Sequence, residues 1–280
     1  MKIMVLGSNG NIGSYLSNYL KNIHEIIALD KNNLDITDKN SVLQTINSAS
    51  PDIVIQAAGL ADIDFCESHE TESYTVNTLG TLNVAYACNS LSIPIMYISS
   101  AYVYGGEKHS PYFETDKCIP INIYGKSKLA AEKLIRTICS KYFIIRTSWC
   151  FGGNDCYIKK ALSQANAPIF LISDAIINPT YIEDLCNSIS QIITSDFYGV
   201  YNCVNDGYTS KQEVIKYTFE YFNIQKNVLP LSTEAITNIA PRPKYTAMNT
   251  CLLYNCFNIK MPSWKDSITQ YLDTIVNSTQ

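Results

Sequence analysis

The 280-residue chain reads as an α/β protein, a doubly wound parallel sheet followed by a smaller C-terminal lobe. Three observations predict this. At the amino terminus a short apolar run leads through glycines into an amphipathic run. Predicted strands and helices then alternate with short connections, and a second strand ends in a carboxylate at the distance expected of a nucleotide-binding βαβ unit.

The elements follow in order. Lys2-Ile3-Met4-Val5-Leu6 reads as a buried strand, and Gly7-Ser8-Asn9-Gly10-Asn11-Ile12-Gly13 opens onto the amphipathic run from Tyr15 to Leu20. Gly7 would allow the tight turn, Gly10 the close approach of backbone to a pyrophosphate, and Gly13 close packing of helix on strand. Phosphates would then meet free N–H groups and the favourable end of a helix dipole. Glu25-Ile26-Ile27-Ala28-Leu29-Asp30 reads as the second strand, its carboxylate about twenty residues beyond the central glycine, which is the Rossmann-type spacing. Asp30 can accept hydrogen bonds from ribose hydroxyls and would repel a 2′-phosphate, so NADH is favoured over NADPH.

Asp52 to Gly59 is predicted as a strand and its exit, Tyr74 to Asn89 as a helix, Ile93 to Ser99 as a strand, and Tyr142 to Ser148 as another after the helix at Tyr124. Ligands of such a sheet bind at the carboxyl ends of its strands. Residues 1–150 are expected to form the dinucleotide-binding domain, and residues 151–280 mainly a substrate lobe, with the chain crossing between the two. Phe151-Gly152-Gly153-Asn154-Asp155 is a glycine-rich loop of the kind that covers a pocket. Helices are predicted from Ser210 to Phe222 and from Ser263 to Val276.

Chemistry concentrates at Tyr124 and Lys128. Four residues apart in a helix-forming run, a phenol and an ammonium share one face. A phenol has a pKa near 10, and a nearby cation would draw it toward the working range. With twenty tyrosines and eighteen lysines, about one Tyr-x-x-x-Lys match is expected by chance. The other match, Tyr104 to Lys108, spans Gly105-Gly106, where no helix interior is expected. Ser99 and Ser100 close the fourth predicted strand at the ligand edge, where a hydroxyl can donate to an oxygen that gains charge during reduction.

Composition narrows the class. A net charge of −4 with no basic cluster excludes a nucleic-acid footprint. The first apolar run spans only five residues, from Lys2 to Leu6, too short for a signal peptide or a membrane span. Ten cysteines without a Cys-x-x-Cys pair read as reduced thiols of a cytoplasmic protein. His24, His69 and His109 share no metal-binding spacing, so no metal is expected.

Taken together, the glycine pattern, Asp30, Ala57-Ala58-Gly59, Val76-Asn77-Thr78-Leu79-Gly80, Ser99-Ser100-Ala101-Tyr102, Tyr124 to Lys128 and Arg146-Thr147-Ser148-Trp149 resemble the extended short-chain dehydrogenase/reductases. The likeness is greatest to their dTDP-4-dehydrorhamnose reductase branch. Asn178-Pro179-Thr180 and Arg242-Pro243 fit the same branch, and the resemblance covers most of the chain. It implies reduction of the C4 keto group of a nucleotide-activated 6-deoxysugar by NADH or NADPH, in deoxysugar or surface-polysaccharide synthesis. Tyr124 would be the general acid, Lys128 would hold the nicotinamide ribose, Ser100 would polarise the carbonyl, and Asn77 would support the proton relay. The cofactor set would be Gly7, Asn9, Gly10, Asn11, Ile12, Gly13, Asp30, Asp35, Ile36, Ala57, Ala58 and Gly59 with Tyr124 and Lys128. Substrate would meet Ser100, Ala101, Tyr102, Tyr124, Trp149 and Arg242, the last through its diphosphate. The partner is thus a nucleotide sugar rather than nucleic acid or membrane, with a homodimer as the assembly to consider.

Two departures bear on the substrate. The reductases usually show Ser-Thr-Asp-Tyr where this chain has Ser99-Ser100-Ala101-Tyr102, and their threonine-containing loop is here Leu60-Ala61-Asp62-Ile63-Asp64. Lost polar partners change which hydroxyls are recognised. Other readings are an epimerase or dehydratase of the same superfamily and a non-catalytic nucleotide-binding subunit.

Overall fold

The computed structural model describes residues 1–153, 156–163, 168–235 and 240–278. Asn154 and Asp155, the end of the glycine-rich loop, lie outside the described residues.

Six parallel strands form the central sheet: β1 (Lys2–Leu6), β2 (Glu25–Leu29), β3 (Ile53–Gln56), β4 (Ile95–Ser100), β5 (Tyr142–Thr147) and β6 (Gly199–Asn202), in the spatial order β6-β5-β4-β3-β1-β2. The order reverses between β1 and β3. Such a switch point leaves a crevice at the carboxyl ends of the strands, and that is where a ligand can enter.

Strands buried on both faces explain the near-continuous apolar runs. Ile3 and Val5 of β1, Ile53 and Ile55 of β3, Met96 and Ile98 of β4, and Phe143 and Ile145 of β5 all point into one core. Their alternates, Met4 and Leu6, Val54, Ile95 and Tyr97, and Ile144, point into the other. The first core is covered by α1 (Asn11–Leu20) through Leu16 and Leu20, and by later helices. The second is covered by α2 (Lys39–Ala49), α3 (Thr81–Ser90) and α4 (Ile123–Ile138), through residues such as Val42, Val84 and Ile135.

The predicted helix from Tyr74 to Asn89 has a distinct first half. Residues Tyr74–Gly80 form a wider π-helical turn, and the ordinary helix α3 begins only at Thr81. Such wide turns redirect side chains and recur at functional sites. Here the turn carries Asn77, which is buried.

Residues beyond 150 contribute to the sheet and to its covering layer. Strand β6 pairs with β5. Helix α5 (Ile182–Ile192) packs on α1, with the Tyr15 hydroxyl donating to Glu183 at 3.1 Å. Helices α6 (Lys211–Tyr221) and α7 (Trp264–Ser278) match the two predicted C-terminal helices. A third apolar cluster joins Ala101, Val103, Tyr104 and Tyr112 to Val204, Tyr245, Ala247 and Met248, tying the strap after β4 to the C-terminal lobe.

Candidate active site

Two cavities occupy the crevice. The first, about 220 Å³, is lined by Gly7, Asn9, Gly10, Asp30, Lys31, Asp35, Ile36, Ala57, Ala58 and Gly59. The second, about 370 Å³, is lined by Gly10, Asn11, Ile12, Gly13, Ala57, Gly59, Ser100, Tyr102, Tyr124, Lys128, Trp149 and Lys211, among others. Gly10, Ala57, Gly59 and Leu60 border both, so the two run together as one cleft across the switch point.

The first cavity suits an adenosine. Gly7 has φ +82°, and a Cβ there would lie 2.5 Å from the Ala58 nitrogen, so only glycine permits this turn. Asp30 at the end of β2 accepts from the backbone nitrogens of Asn32 (2.9 Å) and Asn33 (3.1 Å), and the Asn9 side chain donates to it. Helix α1 starts after Gly10 with no side-chain cap, which leaves its first N–H groups available to an anion. A glycine cradle and an uncapped helix start together fit a dinucleotide pyrophosphate.

The second cavity holds the reactive groups. Helix α4 is fixed at its start by Asn122, whose side chain accepts from the Gly125 nitrogen at 2.8 Å and donates to the Pro241 carbonyl at 2.9 Å. Glu67 also accepts from the Ile123 nitrogen at 2.8 Å. The first turn thus presents Tyr124 at the end of β4, where it lines the cavity together with Ser100. Tyr102 meets the Tyr124 ring edge-on, with centroids 5.9 Å apart. Gly125 is packed so closely that an added Cβ would lie 2.1 Å from the Tyr102 carbonyl oxygen. Gly125→Ala is therefore expected to push this turn away from Ser100, costing about 1–3 kcal/mol of stability and lowering kcat. Thermal melting and steady-state rates on the purified variant would check both.

The electrostatics differ from the sequence expectation. A phenol drawn down by Lys128 was expected, whereas burial pushes the Tyr124 hydroxyl up to about 12, against a smaller opposing effect of the Ser100 hydrogen bond. The Lys128 ammonium is engaged elsewhere: it donates to the Ile98 carbonyl at 2.7 Å and lies 4.3 Å above the Tyr97 ring. Burial also lowers its pKa to about 8, partly offset by Glu132. Tyr124 is accordingly fully protonated at neutral pH, the state required of an acid.

The remaining expected residues fall in four places. Ser100, Tyr102 and Trp149 line the cavity. Asn77 stands behind its wall: Oδ1 accepts from the Leu60 nitrogen (2.7 Å), and Nδ2 donates to the Leu60 carbonyl (3.1 Å) and to Ser127 Oγ (3.1 Å). Ala101 faces the third apolar cluster and is not among the lining residues, because the chain turns into a short helical strap, Ala101–Val103, directly after β4. Arg242 forks onto Asp64, with contacts of 2.5 and 2.7 Å, and also donates to the Ala240 carbonyl. Its guanidinium holds the Asp64 carboxyl below the usual carboxylate range.

Comparisons with known proteins cover the whole chain. A family model described as the RmlD substrate-binding domain matches residues 1–277. The chain belongs to the RmlD family. A relative of this RmlD-family chain, the spore coat polysaccharide biosynthesis protein SpsK of Bacillus subtilis, is 31% identical, the match covering 97% of this chain and 96% of SpsK. The dTDP-4-dehydrorhamnose reductase of Escherichia coli is 28% identical over 100% of this chain and 99% of its own. Among solved structures, the Bacillus anthracis dTDP-4-dehydrorhamnose reductase in complex with NADP superposes with a TM-score of 0.93 at 34% identity, covering 98% of this chain and 99% of that one.

Of the residues lining the second cavity that sequence reasoning did not single out, Lys211 is the charged one. Lys211 opens α6 after the capping residue Ser210, far in sequence from the Tyr-Lys helix. Its only signal was a cation at a helix N-terminus, where the dipole disfavours positive charge.

Proposed function

We propose that this chain reduces the C4 keto group of a nucleotide-activated 6-deoxysugar with a nicotinamide cofactor, in the manner of a dTDP-4-dehydrorhamnose reductase, for deoxysugar or polysaccharide synthesis. The observation that carries this reading is the Ser100–Tyr124 pair on the wall of the cavity that also holds Lys128 and Trp149. The full-length likeness to reductases supports it.

The reduced nicotinamide, when bound, supplies the hydride. The protein's part is to place and protonate the carbonyl. Ser100 donates a hydrogen bond to the substrate oxygen as negative charge grows there, and Tyr124 delivers its proton to the same oxygen. A phenol whose pKa lies near 12 does not lose that proton to water beforehand. Lys128, one turn further along α4, would hold the nicotinamide ribose. Gly10 and the uncapped start of α1 would receive the pyrophosphate, and Asp30 the adenosine ribose. Trp149 offers an apolar face to the sugar.

Incubating the purified protein with NADH, then NADPH, and a panel of dTDP-, UDP- and GDP-linked 4-keto sugars tests the proposal through loss of nicotinamide absorbance. No turnover with any of them would overturn it.

Cofactor preference follows from the adenosine rim. The Asp30 carboxylate would sit against a 2′-phosphate, a repulsion of about 1 kcal/mol in water and about 4 at the rim of a protein. Asp30→Ala removes that carboxylate and keeps Lys31, Asp35 and Glu72 on the lining. The ratio of kcat/KM with NADPH to that with NADH is expected to rise about tenfold or more in this variant, measured with either cofactor at saturating sugar.

A further inference from the structure

Lys211 is placed at a cost that its described protein neighbours do not offset. It begins an eleven-residue helix, where the dipole disfavours a cation. Burial drives its pKa down to about 8, and the charge of Arg242 acts in the same direction. Among the described residues its amine has no carboxylate partner, and its recorded contact is the Trp149 ring, 5.4 Å from the centroid. Arg242 by contrast is already held by Asp64.

This cation lines the same cavity as Ser100, Tyr124 and Trp149. A sugar whose C4 oxygen lies at Ser100 and Tyr124 and whose ring lies along Trp149 carries its anionic linkage past the indole, toward the Lys211 amine. We propose that Lys211 receives the diphosphate of the nucleotide-sugar substrate and sets the preference of the site for diphosphate-bearing ligands. Lysine suits this task as a mobile point charge that reaches phosphate oxygens without a fixed fork. Arg242, tied to Asp64, is not among the lining residues and leaves this role to Lys211. The assignment rests on the proposed function for the pose of the sugar, but the preference for a nucleoside diphosphate can be measured without turnover.

The test uses the full chain with NADH present. Binding of dTDP, UDP and GDP is measured by calorimetry for the wild type, Lys211→Gln and Lys211→Arg, with the matching nucleosides as controls. Lys211→Gln is expected to weaken the best-binding diphosphate about tenfold or more and to flatten its salt dependence, with nucleoside and NADH affinities unchanged and Lys211→Arg restoring most of the loss. Equal weakening of nucleoside and diphosphate would make Lys211 a mere prop for Trp149 and overturn the assignment. So would an unchanged diphosphate affinity, a loss confined to NADH, or a wild type that binds none of the three. If Lys211→Gln weakens diphosphate binding while the wild type turns over no 4-keto sugar, the reductase reading fails and the diphosphate site stands. If the wild type is active, KM for the sugar is expected to rise about tenfold in Lys211→Gln with kcat less affected.

Discussion

Tyr124→Phe is expected to lower kcat by two or more orders of magnitude, the usual scale for a positioned acid, while NADH still binds. The substitution removes one oxygen and keeps the ring that packs edge-on against Tyr102, so folding should change little. The hydroxyl of Ser100, on the same cavity wall, would remain but could not replace the proton donor. Steady-state turnover of the best 4-keto substrate, together with NADH affinity by fluorescence titration, separates the two effects. Turnover at the wild-type rate in this variant would remove Tyr124 from the mechanism.

A comparably large effect on stability is expected of Glu132→Gln. Glu132 and Arg146 are 1% and 2% exposed, and the carboxylate accepts from Arg146 Nε at 3.0 Å, from Nη2 at 2.6 Å and from Ser99 Oγ at 2.5 Å. Arg146 also donates to the Tyr104 hydroxyl at 2.8 Å. The network joins α4 to β4 and β5 directly beneath Ser100. Removing the negative charge leaves a buried guanidinium without its counter-ion, a loss of about 3–5 kcal/mol. Replacing both partners together, Glu132→Leu with Arg146→Met, should recover much of that loss, because apolar residues of similar volume carry no charge to desolvate. Urea titration of the two variants would measure both, and an unchanged midpoint for Glu132→Gln would refute the account.

Glu132 and Arg146 illustrate where legibility ended. Each stood in a stretch the sequence marked out, Glu132 at the end of the Tyr-Lys run and Arg146 before Trp149, yet neither announced a partner. They lie on different elements, and only the parallel pairing of β4 with β5, with α4 packed across them, brings them together. Asn77 is similar: the wide turn of Tyr74–Gly80 aims its amide at Leu60 and Ser127, and no single-sequence signal distinguishes that turn from an ordinary helix. Ala101 marks a place where sequence position misleads, since one residue past a lining serine the chain has already turned into an apolar cluster.

The local chemistry of the chain was determined by the sequence alone. Apolar runs of strand length, glycines at fixed spacing, a carboxylate ending the second strand and a phenol one helical turn from an amine each encode their own conformation through contacts within a few residues. Tertiary structure alone decided the burial that pushes the Tyr124 phenol upward, the engagement of Lys128 with Ile98 and Tyr97, the capture of Arg242 by Asp64 and the arrival of Lys211 beside Trp149. Burial and charge act through space, and the groups that bury or oppose one another here are as many as 178 residues apart.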